Sequence, residues 1–184
     1  MSTTFPGTTV EVSAIKKGSS KQLFDGIFAA GGITLSQVSV MTGLEPYLIQ
    51  NWVKRGFLTS PVKRMYSKEQ FARIVIINML RESIQIDRIC SLVRVIGGVP
   101  EDPMDDLIGD DELYHRYVDM IADDTININD RESVHRAALL ATEEMVERVP
   151  NAKKKLATVL EIMVNAHAAS MLRTRAESLL FTLS

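Results

Sequence analysis

Tyr47, Gln50, Asn51 and Lys54 recur at i, i+3, i+4 and i+7, so a helix would carry them on one face. That face holds no acid. A side-chain amide pairs bidentately with an adenine edge, and a lysine neutralises a phosphate. The remaining positions, Leu48, Ile49, Trp52 and Val53, form an apolar stripe that packs inward. Trp52 belongs to this stripe, so core packing rather than base stacking is its expected role. Arg55, Lys63 and Arg64 follow at the helix end and in the short segment behind it, where a phosphate backbone would pass.

Other reactive residue types do not assemble into a centre. Glu112-x-x-His115 has the spacing of one arm of a helical carboxylate–imidazole metal site, which needs a second copy and further carboxylates facing it; the sequence has no second copy. Cys90 lies among Ile86, Ile89 and Val93 and reads as a buried, inert thiol. His135 and His167 are isolated and read as structural or solvent-facing. Neither a phosphate-binding glycine loop nor a Gly-x-Ser-x-Gly elbow occurs. No catalytic residue, metal or cofactor is therefore expected, and the chain reads as a binding protein rather than an enzyme.

The elements that position the polar face are helical. With 184 residues, 46% hydrophobic, only 10 glycines and 6 prolines, the chain has enough apolar content for a core and favours an all-α class. Its single cysteine suits a reducing compartment, and no secretory leader or membrane-length apolar run is present, so a cytoplasmic protein is expected. The net charge of −2 is unevenly spread. Between 32 and 94, nine bases face four acids; between 101 and 130, eleven acids face one base. A locally basic stretch in a mildly acidic chain is compatible with nucleic-acid binding.

Residues 1–18 read as a flexible polar tail. A short helix follows from Ser19 or Ser20 to Ala30. Thr34 then caps a helix from Leu35 to Thr42, Gly43 breaks it, and Pro46 opens the Tyr47–Lys54 helix at a position where no N–H is needed. Ser67 and Gln70 form a capping box for a helix to about Arg81, and another runs from about Asp87 to Ile96. An acidic linker is expected over 99–110. Three C-terminal helices follow, at about 111–122, 131–148 and 152–182. Val134, Ala138, Ala141 and Met145 make one stripe of the second, and the third is apolar on more than one side and should be buried accordingly.

The run LSQVSVMTGLEPYLIQNWVKRGFL resembles the opening of MerR-type regulators, in which a helix, a Thr-Gly turn and a recognition helix end at a Gly-hydrophobic pair. Thr42-Gly43, Gly56-Phe57-Leu58, Tyr66-Ser67-x-Glu69 and Leu80-Arg81-Glu82 carry the resemblance, which covers about a third of the chain. The chain as a whole is similar to a bacterial family known only as a domain of unknown function, in which this element precedes a helical C-terminal region. The departures are specific: the MerR type presents arginines where Tyr47 and Gln50 stand and a tyrosine where Asn51 stands, and its wing is longer than Phe57–Met65.

Together these readings predict an all-α protein. A MerR-like helix-turn-helix with a short wing would occupy 19–98, and a helical bundle 111–184. The resemblance implies a transcriptional regulator that binds double-stranded DNA as a homodimer through its C-terminal helices. Tyr47, Gln50 and Asn51 would lie at base edges or sugars, and Lys54, Arg55, Lys63 and Arg64 at phosphates. The alternative is a protein-interaction module that keeps the scaffold without DNA affinity.

Overall fold

The apolar run Ile74–Leu80 has one stable resting place, because a helix apolar on every side must be covered on every side. The structure, a computed structural model, describes residues 3–96, 107–147 and 149–183. Among these are eight helices: α1 (Ser19–Ile27), α2 (Leu35–Thr42), α3 (Pro46–Lys54), α4 (Lys68–Leu80), α5 (Ile86–Ile96), α6 (Asp110–Ile121), α7 (Arg131–Thr142) and α8 (Ala152–Phe181). Four two-residue strands pair antiparallel: β1 (Thr3–Thr4) with β2 (Glu11–Val12), and β3 (Ile33–Thr34) with β4 (Met65–Tyr66). The fold is thus mostly helical, and none of the helices is long and apolar enough to cross a membrane.

Helix α4 is the axis of the molecule. It starts at the expected capping box, with Ser67 Oγ accepting from the Gln70 N–H at 3.2 Å and Gln70 Oε1 accepting from the Ser67 N–H at 2.9 Å. Ile74, Val75, Ile76, Ile77 and Leu80 have no exposed surface. Helices α2, α5, α6 and α8 pack around them. Rings from three helices fill one end: Phe24 of α1 stacks on Tyr114 of α6 and tilts against Phe71 of α4, at 5.3 and 5.2 Å between centroids. One apolar cluster runs from Phe5 to Ala166, so the 19–98 and 111–184 stretches share a core instead of forming two.

Three expectations need correction. The 1–18 segment is not a free tail: β1 and β2 form a hairpin, Phe5 is buried, and the Tyr114 hydroxyl donates to the Pro6 carbonyl at 2.8 Å. Gly7, at φ +74°, runs so close to α4 that a Cβ there would lie 2.3 Å from the Val75 carbonyl oxygen. Helix α7 ends at Thr142, not near 148. Glu143, Glu144 and Glu147 would oppose the dipole at its C-terminus, and Pro150 disfavours helix just before it. Finally, α8 is covered only through Ala166; Met171, Leu172, Leu179, Leu180 and Phe181 are all more than half exposed. At 30 residues it is about 45 Å long and overshoots the shorter helices beneath it.

Most of the expected 99–110 linker, residues 99–106, lies outside the described residues. Its last residue, Asp110, opens α6; it is 8% exposed and bonds Arg73 Nε through Oδ2 at 2.7 Å. A carboxylate at a helix N-terminus is favoured by the helix dipole, and the guanidinium offsets its desolvation.

Candidate functional site

The helix pair α2–α3 is shaped by local chemistry. Thr34 Oγ1 accepts from the Gln37 N–H at 3.3 Å, and Gln37 Oε1 accepts from the Thr34 N–H at 2.8 Å, completing a second capping box. Gly43 closes α2 at φ +68°, a conformation an L side chain adopts at a cost. The turn is then tied twice. Thr42 Oγ1 donates to the Val38 carbonyl at 2.7 Å and accepts from the Leu44 N–H at 3.3 Å, while Ser39 Oγ donates to the Leu44 carbonyl at 2.5 Å.

A third tie comes from α4. The Asn78 amide donates to the Thr42 carbonyl at 2.9 Å and to the Gly7 carbonyl at 3.0 Å, and its Oδ1 accepts from Arg81 Nε at 3.0 Å. The one polar residue of the Ile74–Leu80 run thus brackets the N-terminal loop and the α2–α3 turn together. Thr9 adds to this from the loop, its N–H donating to the Met41 carbonyl at 2.8 Å and its hydroxyl to the Val40 carbonyl at 2.7 Å.

On α3 the expected division of faces holds. Ile49 and Trp52 are buried, Leu48 and Val53 half-buried. Tyr47, Gln50, Asn51 and Lys54 are exposed, Tyr47 by 69%. Arg55 is exposed but engaged: its guanidinium carbon sits 4.4 Å from the centre of the Phe57 ring, and Nη2 is 3.4 Å from Asp87 Oδ1 on α5.

The short wing takes in a strand from outside Phe57–Met65. Its outer strand, β4, pairs with β3 ahead of α2, and the tip is a two-residue turn closed by reciprocal Val62–Met65 backbone bonds of 2.9 and 3.1 Å. The tip residues, Lys63 and Arg64, both have positive φ, 50° and 66°. That is the geometry of a type I′ hairpin, which normally takes Asn-Gly. Holding two long L side chains there costs about 1–3 kcal/mol each.

Cations near this region separate into tied and untied sets. Arg55, Lys68, Arg73 and Arg81 each have a carboxylate within 4 Å. Lys54, Lys63, Arg64, Arg88 and Arg94 are exposed and have no ion pair among the described residues. Arg88 and Arg94 extend the basic surface onto α5. Their charge is legible in the sequence, but it does not disclose that α5 leaves them free while α4 consumes Arg73.

Residues 33–117 match the model of a family described as a domain of unknown function, DUF1836. The match runs from β3 to Tyr117 of α6, and leaves the N-terminal hairpin, α7 and α8 outside it. No curated protein and no solved structure matches the chain. The similarity to an uncharacterised family read from the sequence is thus supported over that stretch.

His115, His167 and Cys90 are built into the packing, whereas His135 is exposed, its Nδ1 2.7 Å from Glu161 Oε1. His115 is 7% exposed; Nδ1 shares a 3.0 Å hydrogen bond with the buried Ser20 hydroxyl, and Nε2 has no partner. Desolvation lowers its pKa against the opposing pull of Asp111 and Glu112. His167 shares a hydrogen bond with the Tyr117 hydroxyl, and burial lowers the imidazole pKa and raises that of the phenol. Burial likewise pushes the Cys90 thiol up. Glu112 meets Arg116 at 2.9 Å, and among the described residues no group of three or more His, Cys, Asp and Glu is placed to hold a metal.

Proposed function

We propose that this protein binds double-stranded DNA through a MerR-like helix-turn-helix and regulates transcription. The observation that carries the reading is the wing tip. Strained backbone conformations persist where the surrounding structure over-determines them and cluster at functional sites, and here two of them carry the exposed Lys63 and Arg64. The exposed face of α3 supports the same reading. Tyr47, Gln50 and Asn51 offer donors and acceptors to base edges, and Lys54 a charge to phosphate. Arg55 is the weakest member of the set, because a phosphate would compete with Asp87 and Phe57 for it.

The protein would act as a homodimer. Ala169, Leu172, Ala176 and Leu179 of α8 are exposed and follow each other at steps of 3, 4 and 3, the spacing of a coiled-coil seam. Two copies would present two α3 helices to two half-sites. The same exposed seam favours the second reading, an interaction module whose partner is another protein.

Selection from fragmented genomic DNA of the source organism separates the readings. The first expects an enriched motif bound saturably, with Lys63→Ala and Arg64→Ala each reducing the salt slope by roughly one. Replacing both tip residues by Asn-Gly should stabilise the fold by about 1–2 kcal/mol while weakening DNA affinity, since it relieves the strain and deletes the charges. No saturable binding at about 50 mM salt would leave the interaction module standing alone.

A further inference from the structure

We propose that the groove between the root of the exposed α8 arm and the N-terminal loop binds a small organic anion with an apolar body, and that this ligand acts on the α2–α3 turn through Asn78. The groove has a volume of about 510 Å³, within the range of small-molecule sites, roughly 300–1,000 Å³. Met79 and Met171 supply adaptable apolar surface. Thr174, Ser178 and Arg175 line it from α8. Arg175 is the permanent cation among the described lining residues, His167 lines the groove with its pKa lowered by burial, and none of the described lining residues is a carboxylate. The guanidinium has no ion pair among the described residues. A carboxylate is the group that this planar donor fork takes bidentately.

The groove touches the bracket described above. Asn78 and Gly7 both line it, and the same Asn78 amide holds the Thr42 carbonyl. A ligand that presses on Asn78 or shifts the Gly7 loop changes the support of the turn that presents α3. The binding claim stands on the groove alone; the regulatory claim rests on the DNA-binding reading, and linkage makes the coupling reciprocal.

The test uses the full chain and straight-chain alkanoates of four to ten carbons as probes, titrated calorimetrically without DNA, with octylammonium as the control. Saturable octanoate binding is expected, with affinity rising along the series. Arg175→Ala should weaken it about tenfold, the size of a lost charged hydrogen bond, with Arg175→Lys intermediate. Ser178→Trp, on the exposed arm, should block binding without changing the melting temperature. Absence of saturation, equal binding of octylammonium, or indifference to Arg175→Ala would each overturn the site. DNA affinity is then measured with and without octanoate: a changed affinity, absent in the Arg175→Ala variant, supports the coupling, and an unchanged one removes it. A protein that binds octanoate but no DNA would sink the DNA reading and leave the groove intact.

Discussion

From Ile74 to Leu80 every apolar residue of α4 is buried, whereas in the last four turns of α8 Met171, Leu172, Leu179, Leu180 and Phe181 are largely exposed. Between Ile74 and Leu80 only Asn78 of α4 is polar, and four other helices pack against α4. In the α8 arm the apolar residues are exposed and flanked by Arg173, Arg175 and Glu177; Arg173 reaches back to Glu82, and Met171, Thr174 and Arg175 border the groove shared with Gly7 and Asn78. Apolar content therefore records that a surface is to be buried, not by what. The arm carries charges between its apolar residues, whereas α4 admits no charge from Ile74 to Leu80.

The sharpest way to break this contrast is a pair of truncations. Ile76→Ala should cost about 2–5 kcal/mol, because it opens a cavity in a site closed on all sides. Leu179→Ala should change the stability of the monomer by less than about 0.5 kcal/mol. Urea denaturation at low protein concentration compares them, and equal losses would mean that the arm folds back onto the body.

A smaller effect is expected from Asn78→Ala. It leaves the Thr42 and Gly7 carbonyls without their side-chain donor and should cost roughly 1–3 kcal/mol. Amide exchange should accelerate most in 5–10 and 40–45, whereas Ile76→Ala should loosen the whole core. A uniform response to Asn78→Ala would show that the bracket is ordinary packing.

The least effect is on pH. His115 lies in the core and His167 at the point where α8 leaves it, and burial lowers both pKa values from 6.5. The unfolded chain takes up these protons first, so their contribution is complete above about pH 6.5 and declines as pH falls through that value toward the folded pKa values. Stability measured between pH 7.5 and 5 should fall, and the slope should flatten in His115→Gln. A parallel decline in that variant would assign the effect to other groups; His167→Gln tests whether the arm's root shares in it.

What could be read from the sequence was what neighbours decide. The Thr34 cap, the Ser67/Gln70 box, the Gly43 stop and Pro46 lie within a few residues of the helices they delimit, and those boundaries fall where expected. The two faces of α3 follow from spacing alone. The β1–β2 hairpin was not legible, because its strands are two residues long and Pro6 and Gly7 are held by residues more than 65 positions away. Lys63 and Arg64 hid the tip of the wing, since neither has the turn propensity that such a backbone usually demands. The partly exposed α8 was missed because a seam and a core read alike until the lengths of neighbouring helices are known.

The close passage of Gly7 over Val75 has a consequence for the order in which the protein takes shape. Pro6 and Gly7 leave the ribosome long before Val75, Asn78 and Tyr114, which hold them. Contacts so distant along the chain are slow to close. The early segment therefore waits until α4 and α6 have been synthesised and docked, and a nascent chain paused before Tyr114 would leave the Pro6 carbonyl without its partner.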